Sequence, residues 1–168
     1  MSNTIYLYTD ASFSQSRKLA IIGYGIFQSK EDHDKYPLSE KVIHSLQIKE
    51  SNNIRAEVQG ALWALQRCLA DFQPEKKIIL YTDCQTTCKL PARRKKLEAL
   101  NFMSQSKHKT LANADLYQEF YKIYDILKPE VIWVKGHTPS KNQTMLQKNF
   151  AFLDSELRNV LRAVVKKV

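Results

Sequence analysis

The sequence predicts an α/β fold, a five-stranded mixed sheet with helices on both faces. Two observations carry this. Three strand-like apolar runs come first, the first and third alternating, and the period then changes to three and four. After that change, strand-like and helical segments take turns, an order expected of a sheet covered by helices. At 168 residues and 43% hydrophobic content, the chain is expected to form one domain over residues 1–168 around a sizeable core.

Residues 4–9 alternate and are rich in Ile, Tyr and Leu, which reads as a strand. The following ASFSQSRK reads as a polar turn. Residues 20–28, AIIGYGIFQ, give a second strand, in which Gly23 and Gly25 suggest close backbone approach or a bulge. Residues 41–48 alternate Val42, His44, Leu46 and Ile48 and give a third. Short polar joins between these three suggest an antiparallel meander. Val58, Ala61, Leu62, Leu65 and Leu69 then recur at helical spacing, with Ser51 or Asn52 as cap and Pro74 beyond the end. Residues 77–82 form the fourth strand. Residues 92–104 and 114–127 read as helices, EVIWVKG as the fifth strand, and about 145–165 as the last helix. Trp63 and Trp133 lie within apolar patterns and are expected in the core.

The net charge of +9 fits a polyanionic partner, nucleic acid first. The charge is concentrated. Lys89, Arg93, Arg94, Lys95, Lys96, Lys107 and Lys109 face a single acid, Glu98, across that segment. The bland reading is a solvated helix face. No stretch approaches the ~20 apolar residues of a membrane span, and MSNTIYLY has no basic region or cleavage pattern. A cytoplasmic protein without a membrane partner is expected. Cys68, Cys84 and Cys88 include no C-x-x-C pair, which disfavours a disulfide framework or structural zinc.

Acids at strand ends carry the chemistry. Asp10 ends the apolar run of IYLYTDAS, and Asp83 ends that of KKIILYTDCQ. A carboxylate ending a buried strand is costly to desolvate unless something pairs with it, and one divalent cation can serve several such groups. Tyr6, Tyr8 and Asp10 share one strand face, as do Ile79, Tyr81 and Asp83. If the two strands are parallel neighbours, both acids reach the carboxyl-end edge, where ligands gather in open α/β sheets. Glu57, expected in the first turn of the helix before the fourth strand, can project to the same centre. Each acid also has a structural reading. Asp10 and Asp83 could cap a turn, Glu57 could complement a helix dipole, and Asp154 could be a surface helix residue.

YTDAS, NNIRAE, YTDCQ and VKGH, in this order, resemble the ribonuclease H type 1 family from Ile5 to about Arg162. The resemblance implies the ribonuclease H-like fold and hydrolysis of the RNA strand of RNA–DNA hybrids, and a monomer is the default expectation for a one-domain nuclease. It also implies two Mg2+ (or Mn2+) ions per site, about 4 Å apart. Asp10, Glu57 and Asp83 would be the core metal ligands, and Asp154 would complete one ion's shell. His137, in GHTPSKNQ, would release product or shuttle a proton. Ser12, Asn52, Asn53 and Gln85 would touch the RNA strand, whose 2′-hydroxyl separates it from DNA. The basic segment, with Arg93, Arg94, Lys95 and Lys96, would grip the DNA strand through salt-sensitive phosphate contacts.

The chain departs from the family pattern in places. NNIRAE has one extra residue before its glutamate, the segment from VKGH to Asp154 is longer than usual, and SFSQSRK replaces a glycine-rich turn. Two alternatives stand beside the hybrid nuclease: a related polynucleotidyl transferase, and a non-catalytic nucleic-acid binder of the same fold. Ser12 occupies the position where a proofreading exonuclease usually carries glutamate, which disfavours that activity.

Overall fold

The computed structural model describes residues 3–73, 75–106, 108–136 and 138–167, so Pro74, Lys107 and His137 lie outside the described residues. Five strands form one sheet: β1 (Thr4–Ser14), β2 (Leu19–Phe27), β3 (Ile43–Lys49), β4 (Lys77–Thr82) and β5 (Glu130–Trp133), in the order β3-β2-β1-β4-β5. β2 runs antiparallel to β1 and β3, while β4 runs parallel to β1 and β5. The sheet is therefore mixed, as expected. The first strand is longer than its apolar run: Ala11–Ser14 continue the ladder against β2, and the turn is confined to the residues between Ser14 and Leu19.

Alternation along β1 and β4 separates two cores. Ile5 and Leu7 with Ile78 and Leu80 pack under α2 (Asn53–Asp71), α3 (Gln85–Ala99) and α4 (Ala114–Leu127). Tyr6, Tyr8 and Tyr81 face α5 (Met145–Lys166) through Phe150, Leu153 and Leu157. The helices on the two faces, α2 and α5, carry their own start signals. The Asn52 side chain accepts from the Arg55 N–H at 2.9 Å, and Thr144 with Gln147 forms a capping box before α5. No helix among the described residues is long and apolar enough to cross a membrane.

Four expectations need correction. A six-residue helix, α1 (Lys30–Lys35), lies where none was expected, capped by Ser29 and burying only His33. α3 begins at Gln85 rather than 92, because the helix continues through Pro91, and it ends at Ala99 rather than 104. The chain turns there, with Asn101 and Phe102 at positive φ of 50° and 56°. Glu57 sits just beyond the first turn of α2, which starts at Asn53. Trp133 is 44% exposed instead of buried, while Trp63 packs against the core.

His33 belongs to a buried polar chain beneath the β1–β4 edge. Its ring stacks on Tyr6 at 4.1 Å between centroids, and the Tyr8 hydroxyl lies 2.6 Å from its Nε2. The Asn149 amide donates to the same hydroxyl at 3.1 Å and accepts from the Leu38 N–H at 3.0 Å. Burial lowers the His33 pKa, which keeps the ring neutral and able to accept from Tyr8.

Candidate metal centre

β1 and β4 pair only as far as Thr9 opposite Thr82. The next residues, Asp10 and Asp83, therefore stand where the two strands part. Period-2 alternation places both on the Tyr8 and Tyr81 side of the sheet. Glu57 reaches the same opening from α2, on the other side. One carboxylate oxygen from each of Asp10, Glu57 and Asp83 lies within 4.8 Å of the others.

Two glycines set this spacing. A Cβ on Gly60, one helical turn from Glu57, would stand 3.2 Å from the Asp10 carbonyl oxygen, so its absence lets α2 come down onto β1. A Cβ on Gly136 would stand 3.2 Å from the Asp83 carboxylate, so the segment after β5 passes tightly against that side chain. The N-terminus of α2 is pinned from outside. Arg55 donates to Asp115 at 2.6 Å and 2.8 Å, pairs with Glu50 at 3.3 Å and reaches the Ala112 carbonyl at 3.3 Å. The Gln59 amide also holds Glu50, at 2.5 Å. No bulge interrupts the β1–β2 register. Gly23 instead makes room for Leu157 of α5, whose Cδ2 an added Cβ would overlap.

The cluster is electrostatically unfavourable without a cation. Asp10 is 3% exposed. Burial pushes its carboxyl well above the ordinary range and the Asp83 charge adds to that, while the Ala11 N–H at 2.9 Å opposes it. Burial pushes Glu57 up as well, followed by the charges of Asp10 and Asp83. A hydrogen bond between these two favours the charged form of Asp10 and the protonated form of Glu57. Such an all-oxygen donor set, partly dehydrated and mutually repelling, suits a hard divalent cation.

The other expected residues divide. Asp154, in the third turn of α5, is outside the three-acid cluster. It raises the Asp10 pKa through its charge, forms an ion pair with Arg158, and lines with Asp83 a cavity of about 270 Å3. Lys135, Gln143, Gln147 and Arg158 also line that cavity and were not anticipated; the i, i+4 spacing of Asp154 and Arg158 was their one legible signal. Ser12 continues β1 beyond Asp10, opposite Ile21. Asn52 caps α2, Asn53 begins it, and both are exposed. Gln85 begins α3 directly after Asp83 and Cys84. Arg93 lies over the Tyr117 ring at 5.7 Å. Arg94 is held by Asp125 and Glu98 and lies over Tyr121 at 5.0 Å, so its charge is engaged within the fold. Lys95 and Lys96 are exposed and pair with no acid among the described residues.

The RNase H family model matches residues 2–148. That span contains Asp10, Glu57 and Asp83 and ends in the first turn of α5, before Asp154. No curated protein matches the chain. The native protease-reverse transcriptase of Prototype Foamy Virus is similar with a TM-score of 0.67 at 16% identity, over 92% of this chain and 20% of that one. A foamy viral protease-reverse transcriptase in complex with dsDNA gives 0.59 at 11% identity, over 89% and 92% of the two chains. The one in complex with an RNA/DNA hybrid gives 0.58 at 11% identity, over 79% and 17%. At these identities the likeness is one of fold, and the chain spans about a fifth of the length of the first of these proteins.

Proposed function

Since the chain belongs to the ribonuclease H family, we propose that it is a metal-dependent endonuclease hydrolysing the RNA strand of RNA–DNA hybrids. The observation that carries this reading is the meeting of Asp10, Glu57 and Asp83 within 4.8 Å at the edge where β1 and β4 part. The hybrid bound by a foamy viral protein of the same fold supports the choice of substrate.

In this reading Asp10, Glu57 and Asp83 hold two Mg2+ or Mn2+ ions, with Asp154 completing the set. Bound there, the cations would activate the attacking water and neutralise charge developing on the phosphate. The protein's own residues supply the frame. Burial of Asp10 and Glu57 makes both carboxylates gain from a nearby positive charge, so a bound cation would relieve the cost of their burial. Arg158 steers the Asp154 carboxylate from one turn away. His137 takes up or returns a proton as product leaves. Ser12, two residues after Asp10, Gln85, two after Asp83, and Asn52 and Asn53 at the start of α2 would supply polar groups to a 2′-hydroxyl and neighbouring backbone. Lys95 and Lys96, with Arg93, extend a cationic track along α3 for the DNA strand.

The test is cleavage of an end-labelled RNA, offered as hybrid, single strand and RNA duplex, with Mg2+, Mn2+ or chelator. Cutting of the hybrid alone, lost with chelator and reduced at least about a thousandfold by Asp10→Asn, is expected. Salt-sensitive hybrid binding without any cutting would overturn the enzymatic reading.

A further inference from the structure

Trp133 is a large apolar side chain left 44% exposed beside the metal centre. Its position is fixed: the indole N–H donates to the Asp83 backbone carbonyl at 3.3 Å. Together with Gln85, Cys88 and Lys89 from the first two turns of α3 it lines a cleft of about 260 Å3. Three features of this cleft point to one class of ligand. An aromatic face is open to solvent. An exposed lysine stands beside it, its Nζ 3.5 Å from the Gln85 amide oxygen. The cleft is also continuous with the proposed phosphate track, since Gln85, Lys89 and Arg93 follow one another at i, i+4 along α3.

We infer that this cleft binds an unpaired nucleotide flanking the hybrid, its base stacked on Trp133 and its phosphate held by Lys89. Inside a duplex both faces of each base are covered by neighbours and only an end pair leaves one open, so an exposed indole gains its stacking partner chiefly from unpaired bases. The Gln85 amide can meet the edge of any such base, which makes the site tolerant of sequence. Trp133 binds substrate here; through Asp83 it is also a positioning residue. The location of the site next to a cutting centre rests on the hybrid-nuclease reading, whereas the binding itself does not.

The chain has two tryptophans, so Trp63→Phe leaves Trp133 as the only indole reporter. In chelator, a short single-stranded oligothymidylate should quench its emission saturably, and a blunt RNA–DNA hybrid should not. Lys89→Ala should weaken the oligonucleotide about tenfold and lower the salt slope by about one. Should Trp63→Phe fail to fold, filter binding to the otherwise native protein gives the same comparison: Trp133→Ala should lose about tenfold or more, and Trp133→Phe should retain most of the affinity. No quenching by the single strand, or equal quenching by the blunt hybrid, overturns the cleft. Cleavage of the blunt hybrid with Mg2+, measured in parallel, keeps the two readings apart. Cleavage without single-strand quenching sinks the cleft alone, and quenching without cleavage sinks the nuclease alone.

Discussion

Asp10 has to be an anion to hold a cation, yet it is 3% exposed and faces two other acids. In metal-free protein its carboxyl is raised above the ordinary range by burial and by Asp83. The native state therefore binds more protons than the unfolded chain. The stability this contributes is full below the ordinary carboxylate pKa and is lost as pH rises through the raised one. Asp10→Asn, measured in chelator at neutral pH, should thus raise Tm, at about 2–4 °C per kcal/mol for a chain of this size. The gain should vanish in acid, where the native carboxyl is already protonated. Mg2+ should reverse the order, raising the wild-type Tm while leaving the variant nearly unmoved. A variant less stable than wild type in chelator at neutral pH would contradict the charge conflict. Asp10 and Asp83 were legible in the sequence because a period-2 run ending on an acid says which side and which end of a strand it occupies. Gly136 was not legible as a neighbour of Asp83, because that contact joins segments far apart in the chain.

Helix α2 delivers Glu57, and Gly60 sets how deeply α2 sits. Gly60→Ala brings two opposing effects. Helix propensity favours alanine by about 1 kcal/mol, while the new methyl would press on the Asp10 carbonyl at 3.2 Å and lift the helix. Thermal stability should therefore change little, whereas the Mg2+ concentration for half-maximal cleavage should rise several-fold, since Glu57 moves with the backbone. Unchanged metal dependence would show that Glu57 is placed independently of this contact. Sequence reading found every strand, and α2, α4 and α5 through their apolar periods, whereas α3 buries only Thr87, Leu90 and Leu97 and was bounded less well. It missed α1, whose KEDHDK buries a single histidine and so has no apolar stripe. It started α3 too late because Pro91 reads as a stop: an interior proline removes one backbone donor and crowds the carbonyl four residues before it, yet the helix continues on both sides of Pro91. Trp133 was misplaced for a related reason. A strand's period tells which face a residue takes, but not whether a helix extends far enough to cover it.

Across the whole molecule, charge is divided between an acidic notch and a cationic helix. The count of 26 lysines and arginines overstates the cations available to a partner, because Arg94 and Arg55 are committed to Asp125 and Asp115. Lys95 and Lys96 remain exposed. Hybrid binding, measured in chelator across a salt series, should fall linearly on logarithmic axes. Replacing both lysines by alanine should lower that slope by about two. Arg94→Ala should leave the slope alone and instead loosen α3 from α4. A slope equally sensitive to Arg94 would place the strand elsewhere on the helix. The basic composition was plain in the sequence. Which of its charges are already paired is a property of α4 folding against α3, and local spacing does not contain it.

The parallel pairing of β1 with β4 also has a consequence in time. Asp10 and Asp83 are roughly seventy residues apart, with a strand pair and α2 between them. A chain growing from the ribosome presents Asp10, and later Glu57, to water well before β4 emerges. Until β4 docks beside β1, neither acid is dehydrated and no pocket of opposed carboxylates exists. Such distant pairings form late, after the local meander and helix. A cation held by the three acids would therefore stabilise the finished fold without guiding its early folding, and a nascent chain stalled before residue 83 has no complete acidic cluster to receive one.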